Sequence, residues 1–391
     1  MTRNCNRETI TGKTETAFLL IFGAYVFISL VESSLLYNET VLKIVKIASA
    51  ISLMSLLYLQ FCSRNQYRRI VIIAALILLS FSLAFFATDR FYIILYAMMI
   101  ILAGDVRFNY IVKTSLVSMI AAVIVILAAL ALGIIEDYVY ISGSRVAHCL
   151  GFIYYSFLPF IVFYCVLMYL YLRGRRTSIA EYCVFFALSY YIYKLSTLRL
   201  TFALSLFTMA LHFTLVKLDI LRIQSRIVAT LAGAAFPIGA LATFLGMIMY
   251  DARSPFWIRI DDILNGRVAL MSEGLQLYPI NLFGNNIEMR GNNIYAEANN
   301  YFYIDSGFAY ALLAYGLIFT IIVIVLYSSI FKYSCIINNK ELFVWVASVL
   351  LFTMINNTWV SIDHNPVLLC AIPAVKYLNA RSRVAVAESP A

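Results

Sequence analysis

Charge is scarce in this chain: 13% of its 391 residues are Asp, Glu, Lys or Arg. That is about half the share usual in a soluble domain. Histidine is scarcer still, with only three. His148, His212 and His364 do not share metal-ligand spacing, and neither His-Glu-x-x-His nor Asp-x-Asp occurs. A metal-dependent site is therefore not expected. The seven cysteines are scattered without disulfide or metal-ligand spacing, which argues against a secreted disulfide scaffold. What remains is apolar, since 63% of the residues are hydrophobic. No soluble fold could hide that much apolar surface, and no disordered chain carries it. The composition describes a polytopic membrane protein.

The apolar runs predict helices near 16–36, 41–61, 69–88, 91–105, 115–135, 150–172, 179–194, 198–217, 227–250, 306–331, 341–359 and 365–379. Each approaches the roughly 20 residues that cross a bilayer core. Three are short (91–105, 179–194 and 365–379), so ten to twelve crossings are expected. The runs do not alternate as barrel strands do. The expected fold is all-α, a single polytopic domain over 1–391. The first run lacks a small-residue cleavage site and reads as an uncleaved helix.

The net charge of +9 would suggest nucleic acid in a soluble protein. Here topology accounts for it. With both termini cytoplasmic and twelve crossings, 19 of the 29 Lys and Arg residues fall on the inner side. That is the bias orientation requires, and no nucleic-acid partner is expected.

One connection differs from the rest. Residues 251–305 form a large loop between the ninth and tenth predicted helices, outside in this topology. It carries Asp251, Asp261, Asp262, Glu273, Glu288, Glu297 and Asp305, with Arg253, Arg259, Arg267 and Arg290. Asparagines are dense (Asn281, Asn285, Asn286, Asn292, Asn293, Asn299 and Asn300). Aromatics such as Trp257, Tyr278, Tyr295, Tyr301 and Tyr303 are interleaved. Arginine forks suit phosphate oxygens. Amides and carboxylates suit sugar hydroxyls, and flat rings suit the apolar faces of sugars. Phosphate and sugar together at a membrane surface point to a lipid-pyrophosphate-linked glycan. The bland alternative is a solvated loop. The apolar pattern around Arg267–Leu277 predicts one short amphipathic helix within it.

Arg199, with Lys194, flanks the eighth helix just below the outer surface, where a charge needs a partner, a cavity or a path to the headgroups. Glu32 could pair with Lys43 or Lys46. His364 follows Asp363 in the last outer loop and reads as a candidate base or a plain exposed histidine. His212 reads as a packed, hydrogen-bonded helix residue.

The segment NGRVALMSEGLQLYPINLFGNN, followed by IDSGFAYALLAYGLI, resembles the Wzy-type O-antigen and capsule polysaccharide polymerases. Those proteins carry a large late extracytoplasmic loop with an Asn/Ser-Gly-Arg opening and a Leu-Phe-Gly turn. An Asp-Asn/Ser then starts the next helix, which shows a Tyr-Gly-Leu/Ile pattern. Ser196-Thr197-Leu198-Arg199 is similar to the family's Ser-Arg, with Leu198 intervening. The likeness covers about 120 residues, and elsewhere only the topology.

The resemblance implies a GT-C-like helical fold in the bacterial cell inner membrane, with an active site facing the periplasm. It implies polymerisation of repeat units, by transfer of a growing glycan from undecaprenyl pyrophosphate to the next lipid-linked unit. No cofactor is implied, and the activity would be metal-independent. A chain-length regulator protein would be a partner. On this reading Arg267 and Arg199 stabilise the leaving pyrophosphate, with Arg259 and Arg290 behind them. Arg253, Trp257 and Tyr278 are further candidate binding residues. Asp305 is the leading base, followed by Glu273 and His364. Gly284 permits a tight turn. An O-antigen ligase is a rival, although ligases show His-Asn where this chain has Asp305-Ser306. A lipid-linked-glycan flippase is another, although no repeat relates the two halves.

Overall fold

The computed structural model describes residues 2–62, 68–142, 145–291 and 301–387. The chain is mostly helical, at 76%. The helices are α1 (Thr2–Glu32), α2 (Glu39–Cys62), α3 (Arg68–Thr88), α4 (Tyr92–Leu102) and α5 (Phe108–Ala131). A β-hairpin follows, with β1 (Val139–Ser142) antiparallel to β2 (Arg145–His148). Next come α6 (Phe157–Arg173), α7 (Ile179–Ser196), α8 (Arg199–His212) and α9 (Arg226–Met249). Two short helices, α10 (Pro255–Ile263) and α11 (Arg267–Leu277), lie in the long connection. The single turn α12 (Gly307–Tyr310) then leads through a π turn (Ala311–Tyr315) into α13 (Gly316–Ile336). The chain ends with α14 (Lys340–Ile355) and α15 (Ala371–Ala387).

A helix stands at every apolar run. Among the described residues, seven helical stretches are long and apolar enough to cross a membrane: Lys13–Glu32, Val71–Thr88, Phe108–Ala131, Phe157–Arg176, Arg199–Lys217, Arg226–Met249 and Gly307–Ile336. The chain is thus an all-α polytopic membrane protein. Helices suit that solvent because they satisfy their own backbone groups where water is absent. Between membrane helices packing replaces the hydrophobic drive. The centre is accordingly filled by large, fully buried rings: Phe81, Tyr164, Tyr327, Trp345, Phe352 and Trp359. Small residues bring α1 close to α5, where a Cβ on Gly23 would meet Thr114 at 2.9 Å.

Two details differ from the sequence reading. The fifth helix ends at Ala131 and the sixth begins at Phe157, with the hairpin between them. Val139, Tyr140 and Ile141 favour a strand, and Asp137 ties the connection together. It accepts the Leu150 N–H at 2.6 Å and sits 2.6 Å from His148 Nδ1. The long connection holds two helices rather than one, because Pro255 opens α10 at its first position.

Contacts sort the connections into two groups. In one group Leu35 N–H donates to Gly151 at 2.9 Å, Ser29 meets Asp363, and Asn357 meets Tyr303. This group contains the long connection and the hairpin. In the other, Arg107 pairs with Glu15 at 3.2 Å and Lys376 with Asp105 at 3.4 Å, while Lys340 pairs with Asp219. Near the first group Glu32 pairs with Lys46 at 3.0 Å, and Lys43 pairs with Glu39 instead.

Candidate active site beneath the long connection

The site starts from a turn. Asn265 and Gly266 both have positive φ, 55° and 78°. An Asn-Gly pair tolerates that conformation better than other residues. The turn reverses α10 into α11 and leaves Arg267 as the first residue of α11. Asp261 then reaches across and accepts the N–H groups of Val268 at 2.8 Å and Ala269 at 3.0 Å. These are free donors at the start of α11, and a carboxylate there also complements the helix dipole.

Arg267 is fixed on two sides. Its Nη1 donates to the Leu264 carbonyl at 3.0 Å, and its Nε lies 3.0 Å from Asp305 Oδ2. Both side chains are mostly buried, with 16% and 22% exposed. Burial pushes the Asp305 carboxyl above the ordinary aspartate range, and the opposing pull of Arg267 does not cancel it. A carboxylate raised in this way is better matched to proton transfer near neutral pH.

Two tyrosines precede Asp305 by four and two residues. Burial and the Asp305 carboxylate raise the Tyr301 and Tyr303 phenols. Two more come from the connection after the hairpin. Tyr154 and Tyr155 stack at 5.0 Å, and Tyr155 stacks on Tyr140 at 5.2 Å. A Cβ on Gly291 would lie 3.4 Å from the Tyr303 ring and 3.5 Å from the Tyr154 ring, so these rings close on the same strip of backbone. The long connection and its neighbours thus bring together a cation, a carboxylate and flat phenol-bearing rings, groups of the kinds that bind phosphate and sugar.

The long connection is anchored in the bundle by its Leu282-Phe283-Gly284 turn. Gly284 has φ 99°, and a Cβ there would meet the Ala314 carbonyl carbon at 2.7 Å and the Tyr315 carbonyl carbon at 2.8 Å. Gly316, at φ 86°, faces it, and a Cβ there would meet Leu282 O at 2.6 Å. Between these glycines the turn bonds to the broken helix. Asn285 N–H and Nδ2 donate to Leu313 O at 3.1 and 2.7 Å. Leu317 N–H donates to Asn281 O at 3.0 Å. The loop thus supplies bonds that the helix interruption leaves open, as non-helical backbone at membrane depth requires. Gly284 therefore serves close approach as well as the turn.

The other expected residues are dispersed. Arg253 and Arg259 are exposed on the α10 side, and Trp257 packs on Phe256 at 5.3 Å. Arg290 is exposed beside Glu288 at 3.6 Å, while its backbone pairs with Phe302. Tyr278 stacks on Phe302 at 6.2 Å. Glu273 is exposed on α11, and no hydrogen bond or ion pair joins it to Asp305 among the described residues. Arg199 is exposed at the start of α8, and no such contact joins it to Arg267. His212 is buried, 2.6 Å from the Tyr182 hydroxyl and 3.2 Å from Leu170 O. Asn292, Asn293, Tyr295, Glu297, Asn299 and Asn300 lie outside the described residues.

His364 is not an exposed loop residue. Its side chain is 8% exposed, and its Nδ1 lies 3.1 Å from Asp363 Oδ2. The segment folds inward because Asn365 is fully bonded within the bundle. Asn365 donates to the Tyr327 hydroxyl at 2.9 Å and to Trp359 O at 3.2 Å, and accepts from Trp345 Nε1 at 3.1 Å. Asp363 in turn accepts Ser29 Oγ and the Tyr96 hydroxyl, each at 2.6 Å. Burial alone would raise the Asp363 carboxyl, but His364 and the two hydroxyl donors outweigh it and hold it well below the usual range.

Tyr154, Tyr155, Ser29 and Tyr96 were not legible as site residues. They come from three separate parts of the chain, the connection after the hairpin, α1 and α4, and no local motif marks them. Among the described residues no cluster of three or more His, Cys, Asp or Glu side chains is arranged for a metal ion. The chain matches no family, no curated protein and no solved structure.

Proposed function

We propose that the protein is a polysaccharide polymerase of the O-antigen or capsule type. In this reading it spans the bacterial inner membrane twelve times with a GT-C-like arrangement, both termini in the cytoplasm and the long connection in the periplasm. The observation that carries the reading is the half-buried Arg267–Asp305 pair beneath an aromatic, polar connection that is bonded into the bundle. An enclosed cation and carboxylate suit the separation of a sugar from a pyrophosphate.

The proposed step is a displacement. A hydroxyl oxygen of the incoming lipid-linked unit forms a bond to the anomeric carbon of the growing glycan. The bond from that carbon to the pyrophosphate oxygen breaks, and its electron pair leaves with undecaprenyl pyrophosphate. Asp305 accepts the hydroxyl proton. Arg267 has further N–H donors beyond those facing Asp305 and Leu264, and these stabilise the growing negative charge. A fixed, mostly buried donor is effective because it needs no reorganisation when the charge grows. Tyr301, Tyr303 and Tyr154 offer faces for the sugars. A chain-length regulator is the natural protein partner of such an enzyme.

The test is surface glycan length in cells lacking the gene, complemented with wild type or Arg267→Ala at matched protein level. The expected result is single repeat units in the knockout, a ladder with wild type and no ladder with the variant. A knockout with no repeat unit transferred at all would replace this reading with a ligase or a flippase.

A further inference from the structure

The surroundings of Arg90 are unusual. It is half-buried in the short connection between α3 and α4. Its Nη1 hydrogen bonds to the Tyr310 hydroxyl and lies 3.4 Å from the Tyr92 hydroxyl. Its guanidinium carbon sits 5.4 Å from the centre of the Tyr310 ring. The Tyr92 and Tyr315 hydroxyls are 3.4 Å apart. Every one of these neighbours is a phenol, which carries no charge at neutral pH.

The contrast with the other cations is sharp. Arg267 faces Asp305, Lys46 faces Glu32 and Lys340 faces Asp219. Arg90 has no carboxylate within ion-pair distance among the described residues. Its sequence neighbour Asp89 is exposed and turned out by a positive φ of 55°. A partly desolvated guanidinium is costly without a counter-charge. Aromatic faces and phenol oxygens offset only part of that cost. The Nε and Nη2 donors make no hydrogen bond to the described residues, so a planar fork is open to a ligand.

The position of this cation matters as much as its charge. Tyr310, which bonds Arg90, stands in α12, and α12 begins two residues after Asp305, so the Arg90 cluster is close along the chain to the Arg267–Asp305 pair. Tyr310 and Tyr315 belong to the broken helix to which the long connection is bonded. The counter-charge that fits is an anion with several oxygens, held at the edge of the membrane.

We propose that Arg90, with Tyr92 and Tyr310, is the binding site for the pyrophosphate group of a prenyl-linked substrate. The site rests on the polymerase reading only for the identity of the lipid. Arg267, already matched by Asp305, then stabilises the charge growing on the oxygen of the scissile bond, and Arg90 holds the remaining phosphoryl oxygens of the group that leaves. The tyrosine hydroxyls can donate to phosphoryl oxygens once the ligand draws Arg90 forward.

The test is binding of farnesyl pyrophosphate to the purified full-length protein in detergent, by calorimetry. The variants are Arg90→Gln, Arg90→Lys and Tyr310→Phe, with the exposed Arg176→Gln as control, and all are first checked for monodispersity. Arg90→Gln is expected to weaken binding by at least about tenfold, the scale of a lost charged hydrogen-bond pair. Arg90→Lys should recover part of it as a point charge, and Arg176→Gln should match wild type. Inorganic pyrophosphate should compete, whereas phosphatidylglycerol micelles should not. Binding to Arg90→Gln within about twofold of wild type would overturn the proposal, since that gap is far below one charged contact. Equal displacement by phosphatidylglycerol would also overturn it, by assigning the site to a phospholipid headgroup. Failure of the polymerase reading is read separately. If the knockout keeps its ladder while Arg90 still governs binding, the anion site stands and the polymerase does not.

Discussion

Replacing Gly284 by Ala tests whether the long connection is part of the membrane bundle. The added Cβ would stand 2.7 Å from the Ala314 carbonyl carbon, and backbone there cannot move as a side-chain tip could. Overpacking of this kind costs about 1–3 kcal/mol. Holding a non-glycine residue at φ 99° adds about 1–2 kcal/mol. The alternative is for the turn to undock. That would leave Leu313 O and the Leu317 N–H without partners, at about 1–3 kcal/mol each. The two routes thus cost roughly 2–5 and 2–6 kcal/mol, and the loss is set by the cheaper one. Gly266 provides the control, because it also has positive φ but a Cβ there would meet nothing within 4 Å. Gly266→Ala should therefore lose about 1 kcal/mol, from the backbone alone. Thermal unfolding in detergent reports the order of the two losses. Hydrogen–deuterium exchange should show faster exchange at 313–318 in Gly284→Ala and no change there in Gly266→Ala. Equal losses in the two variants, or unchanged exchange at 313–318, would refute the docking argument.

Three further outcomes follow from the charged groups and the caps. Arg267→Ala leaves Asp305 buried without its partner, and should cost about 2–3 kcal/mol at neutral pH, less than a fully buried pair because both groups keep some exposure; the Arg267→Ala/Asp305→Asn double variant should recover part of it in a thermal double-mutant cycle. The two buried aspartates should titrate with opposite signs. Asp305 has a raised folded pKa, so its contribution is full below the ordinary value of 3.8 and is lost as pH rises through the folded value. Asp363 has a lowered one, so its contribution is full above 3.8 and is lost as pH falls toward the folded value. Asp363→Asn should therefore lose about 2 kcal/mol at neutral pH and little in strong acid, while a uniform loss across pH would contradict the assignment. Ser178 caps α7 in a reciprocal pair with Glu181. Ser178→Ala should lower the unfolding free energy by about 1 kcal/mol, and an unchanged melting temperature would argue against the cap.

The helices were legible because a run of about 20 apolar residues has few other stable forms in a bilayer. Arg267 and Asp305 were legible as individuals, 38 residues apart, but not as a pair. Their meeting depends on the Asn265-Gly266 reversal and on how the Gly284 turn docks. The hairpin was not legible because each strand has only four residues, too few for a clear alternation, and the apolar runs leave 136–149 as a plain connection. His364 was misjudged for a different reason. A polar Asp-His-Asn segment reads as solvated, yet Asn365 finds three partners inside the bundle and carries its neighbours with it. Ser29 and Asp363 are 334 residues apart, and no spacing rule reaches that far. Arg90 carried no signal in the sequence, because Tyr310, which bonds it, lies 220 residues further along the chain.

The interrupted helix at Tyr315-Gly316 bears on how the protein is made. Residues 279–286 are synthesised before 307–336, yet each needs the other to complete its bonding. As synthesis proceeds, the long connection must wait with Asn281 and Asn285 still unbonded to the helix. The segment 307–336 would then enter the membrane with an open break until the turn reaches it. Assembly of this region is therefore a joint event between a segment outside the helices and one within them. A change that delays the first should leave the second as a substrate for membrane quality control, even if each apolar run still inserts correctly.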